Sequence, residues 1–207
     1  MYKNIFKYDD MKRAEHMAVR STVGWYFWTH QLLEITGPDV TAFLEHMFAG
    51  NVSRLAVGRD RYTTMLDENG QIIDDVVIMR RSENVYWVST LFATKTDDWW
   101  YFHQGDYDVE WTEITDDWAM YAVQGPKSRA LLEQLTKDPV ADLKFFAQME
   151  TELQGIPCLS LRSVLELIAL LCGVAILRRR TAKENVLMAA LAVALAVILH
   201  VLVPIYL

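Results

Sequence analysis

The chain has 207 residues, a net charge of −7 and two cysteines, and its composition changes near residue 162. Residues 1–162 contain 25 acidic and 16 basic side chains, which gives them a net charge of −9, and they hold all seven tryptophans. Such an acidic segment is a poor nucleic-acid binder, because contacts to phosphate supply most of that affinity. Cys158 and Cys172 form neither a disulfide framework nor a metal-ligand spacing. The N-terminal 16 residues lack the apolar region of a cleaved signal peptide.

The first predicted element is a helix that begins at Asp9 and Asp10 and ends before Gly24. Aspartate is a good N-cap, and the apolar residues that follow recur at helical spacing. The aromatic-rich residues 25–36 are predicted to be extended.

Two similar strand–turn–helix units follow, 88 residues apart. In ITGPDVTAFLEHMF, Gly37 makes the turn and Pro38 is predicted to take the first helical position. The segment VQGPKSRALLEQL repeats this pattern with Gly125 and Pro126. The repetition predicts an internally duplicated α+β fold.

The clearest hairpin joins strands at residues 62–66 and 71–79 through the turn Asp67-Glu68-Asn69-Gly70. Asn-Gly is typical of such turns, since both residues accept positive φ angles. The remaining elements are predicted from shorter patterns. They are a strand at 85–89, a helix at 94–102, strands at 106–114 and 118–123, and a hairpin at 150–161 that turns at Gly155.

Asp74 and Asp75 lie together in the apolar segment QIIDDVVIM. Because side chains alternate along a strand, one carboxylate must point toward the same side as its buried neighbours and the other away from it. A carboxylate on a core-lining face is costly unless it has partners, and such positions are often functional. The alternative is an edge strand on which both carboxylates reach water or cap a turn.

The segment YTTMLDENGQIIDDVVIM resembles the signature of the glycine cleavage system T-protein (aminomethyltransferase) family. EHMAVRSTVGW, ITGPDVTAFLEHMF and YAVQGPKSRALLEQL resemble other segments of that family in the same order. The resemblance implies an α+β fold that binds tetrahydrofolate as a one-carbon acceptor. It also implies transfer of an aminomethyl or methyl group from a small-molecule or carrier-bound donor.

The resemblance also assigns site residues. Asp75 matches the acidic residue that contacts folate, and its implied catalytic role is to position the pterin and stabilise developing positive charge. Tyr62 matches the tyrosine that faces the pterin, although a strand tyrosine can also serve packing alone. Ser89 replaces an asparagine that bonds the folate, and a hydroxyl cannot reproduce the paired contacts of an amide.

His30 is the fourth candidate for folate binding. It follows the aromatic segment Trp25-Tyr26-Phe27-Trp28 at a place where common family members are less aromatic. The aromatic residues are interpreted as the wall of a pocket for an aromatic or methylated donor. A histidine beside aromatic rings can instead be a packed core or surface residue.

The resemblance ends near residue 162, where Ser160-Leu161-Arg162-Ser163 begins a family motif that does not continue. We therefore expect residues 1–162 to be a folate-binding domain that lacks the walls supplied by later domains of the family. Two hypotheses remain. The chain is a tetrahydrofolate-dependent one-carbon transferase domain, which a partner chain could complete, or it is a catalytically incomplete binding or interaction domain from a truncated or fused gene.

Residues 163–207 are predicted to be an apolar helical tail, since 33 of these 45 residues are hydrophobic. The uncharged segment 186–207 is long enough to cross a membrane. The segment 164–177 is too short for this and is predicted to be interfacial or re-entrant. The alternative is a buried helical hairpin. Basic residues 178–180 and Lys183 favour a cytoplasmic head that residues 186–207 anchor to the membrane.

Overall fold

The computed structural model describes residues 10–28, 30–162 and 173–178. Helices in this part of the chain are α1 (Asp10–Ser21), α2 (Val40–Met47), α3 (Ala93–His103) and α4 (Ser128–Leu135). The strands are β1 (Gly24–Phe27), β2 (Gln31–Thr36), β3 (Asp60–Leu66), β4 (Ile72–Ser82), β5 (Val85–Thr90), β6 (Glu110–Glu113), β7 (Trp118–Gln124), β8 (Gln148–Leu153), β9 (Ile156–Arg162) and β10 (Gly173–Arg178). Residues 25–36, predicted as one extended run, form β1 and β2 in different sheets.

The ten strands form two antiparallel sheets with matching topology. The first sheet has the strand order β3-β4-β5-β2-β6, and the second has the order β8-β9-β10-β7-β1. In each sheet a hairpin and a third strand lie beside the strand that leads into a Gly-Pro turn. The internal duplication that the sequence predicts is therefore present in the topology.

The two Gly-Pro turns are built in the same way. The Val40 N–H donates to the Gly37 carbonyl, and the Ser128 N–H donates to the Gly125 carbonyl, at 3.3 and 3.0 Å. Both glycines have positive φ, at 133° and 122°. Helix α2 begins at Val40, so Pro38 lies in the turn, and the prediction that it takes the first helical position is wrong by two residues.

Each sheet buries its outer face under helices. The first sheet packs Leu33, Ile35, Val76 and Val88 against Phe43 and Leu44 of α2 and Trp100 of α3. The second sheet packs residues such as Val123 and Ile156 against the three buried leucines of α4. The apolar spacing of the helices, read from the sequence, matches these buried faces.

The two sheets meet through their inner faces. The junction contains Leu32, Met79 and Trp87 of the first sheet and Met120, Leu159 and Leu161 of the second. All six side chains are at most 6% exposed. This cluster fixes the two sheets against each other, and Tyr62, Asp75 and Ser89, discussed below, lie on the same inner face of the first sheet.

The helical prediction for residues 164–177 is wrong where the structure describes them. Residues Gly173–Arg178 form β10, which is hydrogen-bonded between β7 and β9. A short apolar run does not distinguish a strand from a buried helix by periodicity, and β10 occupies the place that β5 holds in the duplicate sheet. Within the described ranges, no helix is long and apolar enough to cross a membrane. Residues 186–207, the predicted membrane span, lie outside those ranges, so membrane anchoring stays a prediction.

The close approach at Gly37 gives a stability prediction. A Cβ atom there would lie 2.3 Å from the Asp108 carbonyl oxygen, whereas one at Gly70 would meet no atom within 4 Å. Both glycines have positive φ. We expect Gly37→Ala to lower the free energy of unfolding by about 3 kcal/mol, because strain and clash combine. Gly70→Ala should cost about 1 kcal/mol, from strain alone.

Urea denaturation followed by tryptophan fluorescence measures both values. Equal losses in the two variants would show that the contact between Gly37 and Asp108 does not constrain the turn.

Candidate functional site

The hairpin between β3 and β4 sets the register of the candidate site. The Asp67 carboxylate accepts hydrogen bonds from the backbone N–H groups of Asn69 and Gln71 at 2.9 and 2.8 Å. Gly70 takes a φ of 77°, as predicted, whereas Asn69 does not have the positive φ that the Asn-Gly pattern also predicts for it. The resulting register pairs Tyr62 with Val77 and Thr64 with Asp75.

Asp74 points to the helix-covered face of the first sheet and is 5% exposed. Its Oδ2 accepts hydrogen bonds from the Thr90 hydroxyl and, at 3.1 Å, from the Leu91 N–H. Its Oδ1 accepts from the Asp75 N–H at 2.9 Å. Thr90 also bonds to Thr96 of α3 at 2.8 Å. Asp74 therefore joins β4 to the end of β5 and the start of α3.

Asp75 points to the opposite, inner face, as alternation along β4 requires. The Tyr62 hydroxyl donates to its Oδ2 at 2.7 Å. This hydrogen bond, with burial and the charges of Asp75 and Asp74, raises the pKa of Tyr62 above its ordinary value. The Tyr62 side chain is 48% exposed. The pair presents a carboxylate and an aromatic ring side by side to solvent.

His30 and Ser89 lie on the same face. Ser89 pairs with Val77 of β4 and with Leu32 of β2, and its hydroxyl lies 3.4 Å from the Nδ1 atom of His30. Burial lowers the pKa of His30, although the charges of Asp74 and Asp75 oppose this shift. At neutral pH the imidazole is therefore neutral and can accept or donate one hydrogen bond.

An aromatic row extends this site toward β1. The rings of Tyr26 and Trp28 stack with centroids 5.8 Å apart, and Trp28 lies 4.7 Å from the imidazole of His30. Tyr26 is 44% exposed. Strand β1 belongs to the second sheet and β2 to the first, and Trp28 packs against the cluster between the sheets, so the row lies where the two sheets meet.

The structure thus brings all four predicted residues, Tyr62, Asp75, Ser89 and His30, to one face of one sheet. Asp75 contacts Tyr62 directly, and His30 is close enough to Asp75 for its charge to influence the imidazole. In the described ranges, no three His, Cys, Asp or Glu side chains lie close enough together to hold a metal ion.

Sequence reasoning missed Asp60, which is 4% exposed on the inner face of β3. Neither of its carboxyl oxygens has a hydrogen-bond partner among the described residues, because the Gln148 amide nearby donates to the carbonyls of Arg59 and Arg80. Burial raises the pKa of Asp60 to about 7, against the lowering influence of Gln148, Arg59 and Arg81. The signal available in the sequence was an aspartate two residues before Tyr62, between two arginines.

Comparison with known proteins places this site in a family context. The family model for the GCVT N-terminal domain matches residues 1–164. The chain is 34% identical over 155 residues to an aminomethyltransferase of Streptomyces avermitilis and 35% identical over 155 residues to one of Lysinibacillus sphaericus. Each match covers 73% of this chain and 42% of the relative. The chain therefore spans less than half the length of these curated relatives.

Two solved structures share the fold. Aminomethyltransferase T of the Bartonella henselae glycine cleavage system matches with a TM-score of 0.65 and 21% identity, covering 79% of this chain and 44% of that one. A chain of the heterotetrameric sarcosine oxidase from Corynebacterium sp. U-96 matches with a TM-score of 0.54 and 12% identity. That match covers 81% of this chain and 84% of the other.

The two neighbouring aspartates should differ sharply in their effect on stability. Asp74→Ala leaves the buried Thr90 hydroxyl and the Leu91 N–H without their acceptor, so we expect it to lower the free energy of unfolding by about 3 kcal/mol. Asp75→Ala removes a solvent-accessible hydrogen bond and should cost less than about 1 kcal/mol. Urea titration of the two variants tests this; comparable losses would contradict the assignment of Asp74 as the structural member.

Asp60 should make stability depend on pH. Its folded-state pKa of about 7 lies above the ordinary value of 3.8, so between these values the folded chain holds a proton that the unfolded chain releases. The free energy of unfolding therefore falls as pH rises through this range. We expect Asp60→Asn to be stabilising, and its advantage over wild type to be roughly 2–3 kcal/mol larger at pH 8 than at pH 5.

Denaturation at the two pH values measures this difference, with Asp106→Asn as the control because Asp106 is exposed. An Asp60→Asn curve parallel to wild type at both pH values would refute a buried, proton-binding Asp60.

Proposed function

Because the chain belongs to the GCVT N-terminal domain family, we propose that it binds tetrahydrofolate at Tyr62 and Asp75 and acts in one-carbon transfer. The observation that supports this most strongly is the hydrogen bond between the Tyr62 hydroxyl and the Asp75 carboxylate on the open inner face of the first sheet. The activity of the whole protein is part of this proposal, since the matched relatives are more than twice as long as the aligned segment.

The residues fit a reduced pterin. A reduced pterin has a planar pyrimidine ring whose amino group and ring N–H donate hydrogen bonds, and the Asp75 carboxylate is an acceptor for such donors. Tyr62 offers the face of a half-exposed ring beside that carboxylate. Ser89 and the neutral His30 add one hydroxyl and one imidazole on the same face. Carboxylate and ring together suit a planar ligand that donates hydrogen bonds along one edge.

When bound, tetrahydrofolate supplies a nucleophilic nitrogen that accepts the one-carbon unit. The chain's own residues then orient the bound folate and stabilise charge at the reacting centre. Tyr62 holds the Asp75 carboxylate through its hydroxyl, so the carboxylate is already positioned before a ligand arrives. The charges of Asp75 and the nearby Asp74 favour positive charge at the reacting centre. Because Asp74 is anchored by three hydrogen bonds, this electrostatic environment is fixed by the fold.

The aromatic row supports a proposal for the donor. The exposed ring of Tyr26 stacks on Trp28, and Trp28 in turn contacts His30, one of the four proposed folate residues. Aromatic faces attract cationic and methylated amines. We propose that this row contacts a donor that carries an amine or a methyl group, either as a small molecule or on a carrier.

The openness of the site supports a second candidate function. Tyr26 is 44% exposed and Tyr62 is 48% exposed, so both rings of the site face open space. A partner chain could supply the opposite wall and complete the transferase. Without such a wall, the described domain would serve as a binding or interaction module that does not carry out the transfer.

Isothermal titration of the full chain with tetrahydrofolate distinguishes these candidates. We expect binding by wild type and at least tenfold weaker binding by Asp75→Asn, since a charge-assisted hydrogen bond contributes about 1.5–3 kcal/mol. Tyr62→Phe should weaken binding about threefold, because the ring remains and only the hydrogen bond from the Tyr62 hydroxyl to Asp75 is lost.

The matched controls are Asp106→Asn and Tyr101→Phe, because both residues are exposed. They should bind tetrahydrofolate as wild type does. Absence of binding by wild type at millimolar ligand would reject the folate proposal and favour the interaction module.

A further inference from the structure

Helix α3 exposes two aromatic rings on the side that faces away from the first sheet. Tyr101 and Phe102 are 78% and 82% exposed, which is more than any other large hydrophobic side chain in the described ranges. The opposite side of the helix buries Ala93, Thr96 and Trp100. Each ring offers about 150–250 Å² of contact area, and neighbouring exposed rings of this kind are typical of an interaction surface.

Carboxylates lie next to the two rings. Asp98 precedes Tyr101 by three residues and Phe102 by four, so it neighbours both rings on the surface of the helix. The segment 97–117, which contains the C-terminal half of α3 and strand β6, holds eight acidic side chains and no Lys or Arg. All eight acidic side chains are exposed. The rings therefore belong to a strongly acidic surface.

The described part of the protein leaves this charge uncompensated. None of the eight carboxylates forms an ion pair within the described ranges. Lys95, the one Lys or Arg of α3, donates instead to the Ile73 carbonyl at 3.2 Å. The His103 ring contacts Phe102 and lies 3.6 Å from Glu68 of the β3–β4 turn, which brings a further carboxylate to this side of the helix.

The charge decides which kind of partner suits the rings. Nucleic acids and anionic lipid surfaces carry negative charge themselves and are repelled. A second copy of the chain would bring the same carboxylates face to face in a two-fold interface, which is also unfavourable. Lysine and arginine side chains have neither disadvantage, because their charged ends pair with carboxylates and are attracted to the faces of aromatic rings.

We propose that Asp98, Tyr101 and Phe102, here called the α3 face, dock a Lys- and Arg-rich segment of another protein. The aliphatic stems of the basic side chains pack on the two rings, and their charged ends reach Asp98 and the surrounding carboxylates. The α3 face lies on the helix-covered side of the first sheet, whereas Tyr62 and Asp75 lie on the inner face. Docking therefore leaves the proposed folate site open.

The probe is a fluorescein-labelled decapeptide of alternating lysine and arginine, titrated with the full chain and followed by fluorescence anisotropy. Salt is kept at about 0.1 M, where exposed charges still interact over about 10 Å. The double change Tyr101→Ala/Phe102→Ala does not alter the charge, so we expect it to weaken binding about tenfold through the loss of ring contacts alone. Asp98→Asn should weaken binding about threefold.

Two exposed positions outside the α3 face provide matched controls. Met17→Ala on α1 removes an exposed apolar side chain, and Glu133→Gln on α4 removes an exposed charge. Both variants should bind the peptide as wild type does. Urea denaturation checks that the double variant is folded, and its midpoint should match wild type because both rings are exposed.

Equal affinity of wild type and the folded double variant would overturn the proposal, since the peptide would then be held by net charge alone. Absence of peptide binding by wild type at millimolar concentration would overturn it as well. The same variants are tested for sedimentation with phosphatidylserine vesicles. Binding to vesicles that depends on the rings, with no binding to the peptide, would identify a membrane surface as the partner and reject a basic protein segment.

Discussion

The arrangement of the candidate site depends on one constraint, which is that two adjacent aspartates of a single strand must face opposite sides of the sheet. Asp74 is held on the buried side by the Thr90 hydroxyl and the Leu91 N–H. Removing it from those partners would leave buried polar groups unsatisfied, which is strongly unfavourable. Asp75 is therefore fixed on the inner face, where Tyr62 meets it. A one-residue change in register would exchange the two roles.

The second requirement is that two sheets with the same topology pack together. The cluster of Leu32, Met79 and Trp87 against Met120 and Leu159 brings the inner faces into contact. Trp28, which follows β1 in sequence, packs against this cluster, and its ring contacts the imidazole of His30. The aromatic row and the folate residues thus come from segments far apart in sequence. The site exists because the sheet junction is apolar at its centre and polar at its rim.

Local signals in the sequence predicted much of this arrangement. The Asn-Gly turn set the hairpin register, the two Gly-Pro units indicated the duplication, and alternation placed Asp74 and Asp75 on opposite faces. Features that depend on distant pairing were not predictable in the same way. An apolar run at residues 173–178 was interpreted as helix, because nothing local shows that β7 and β9 leave a strand position between them. The buried state of Asp60 likewise depends on β8, almost 90 residues away.

The central claim is that Asp75 and Tyr62 hold a reduced pterin on the inner face of the first sheet. A crystal structure of the full chain grown anaerobically with tetrahydrofolate tests this most directly. The account predicts pterin density beside Tyr62, with the Asp75 carboxylate accepting hydrogen bonds from the pterin edge. Pterin density at another surface, with Asp75 bonded only to Tyr62 as in the free protein, would contradict it.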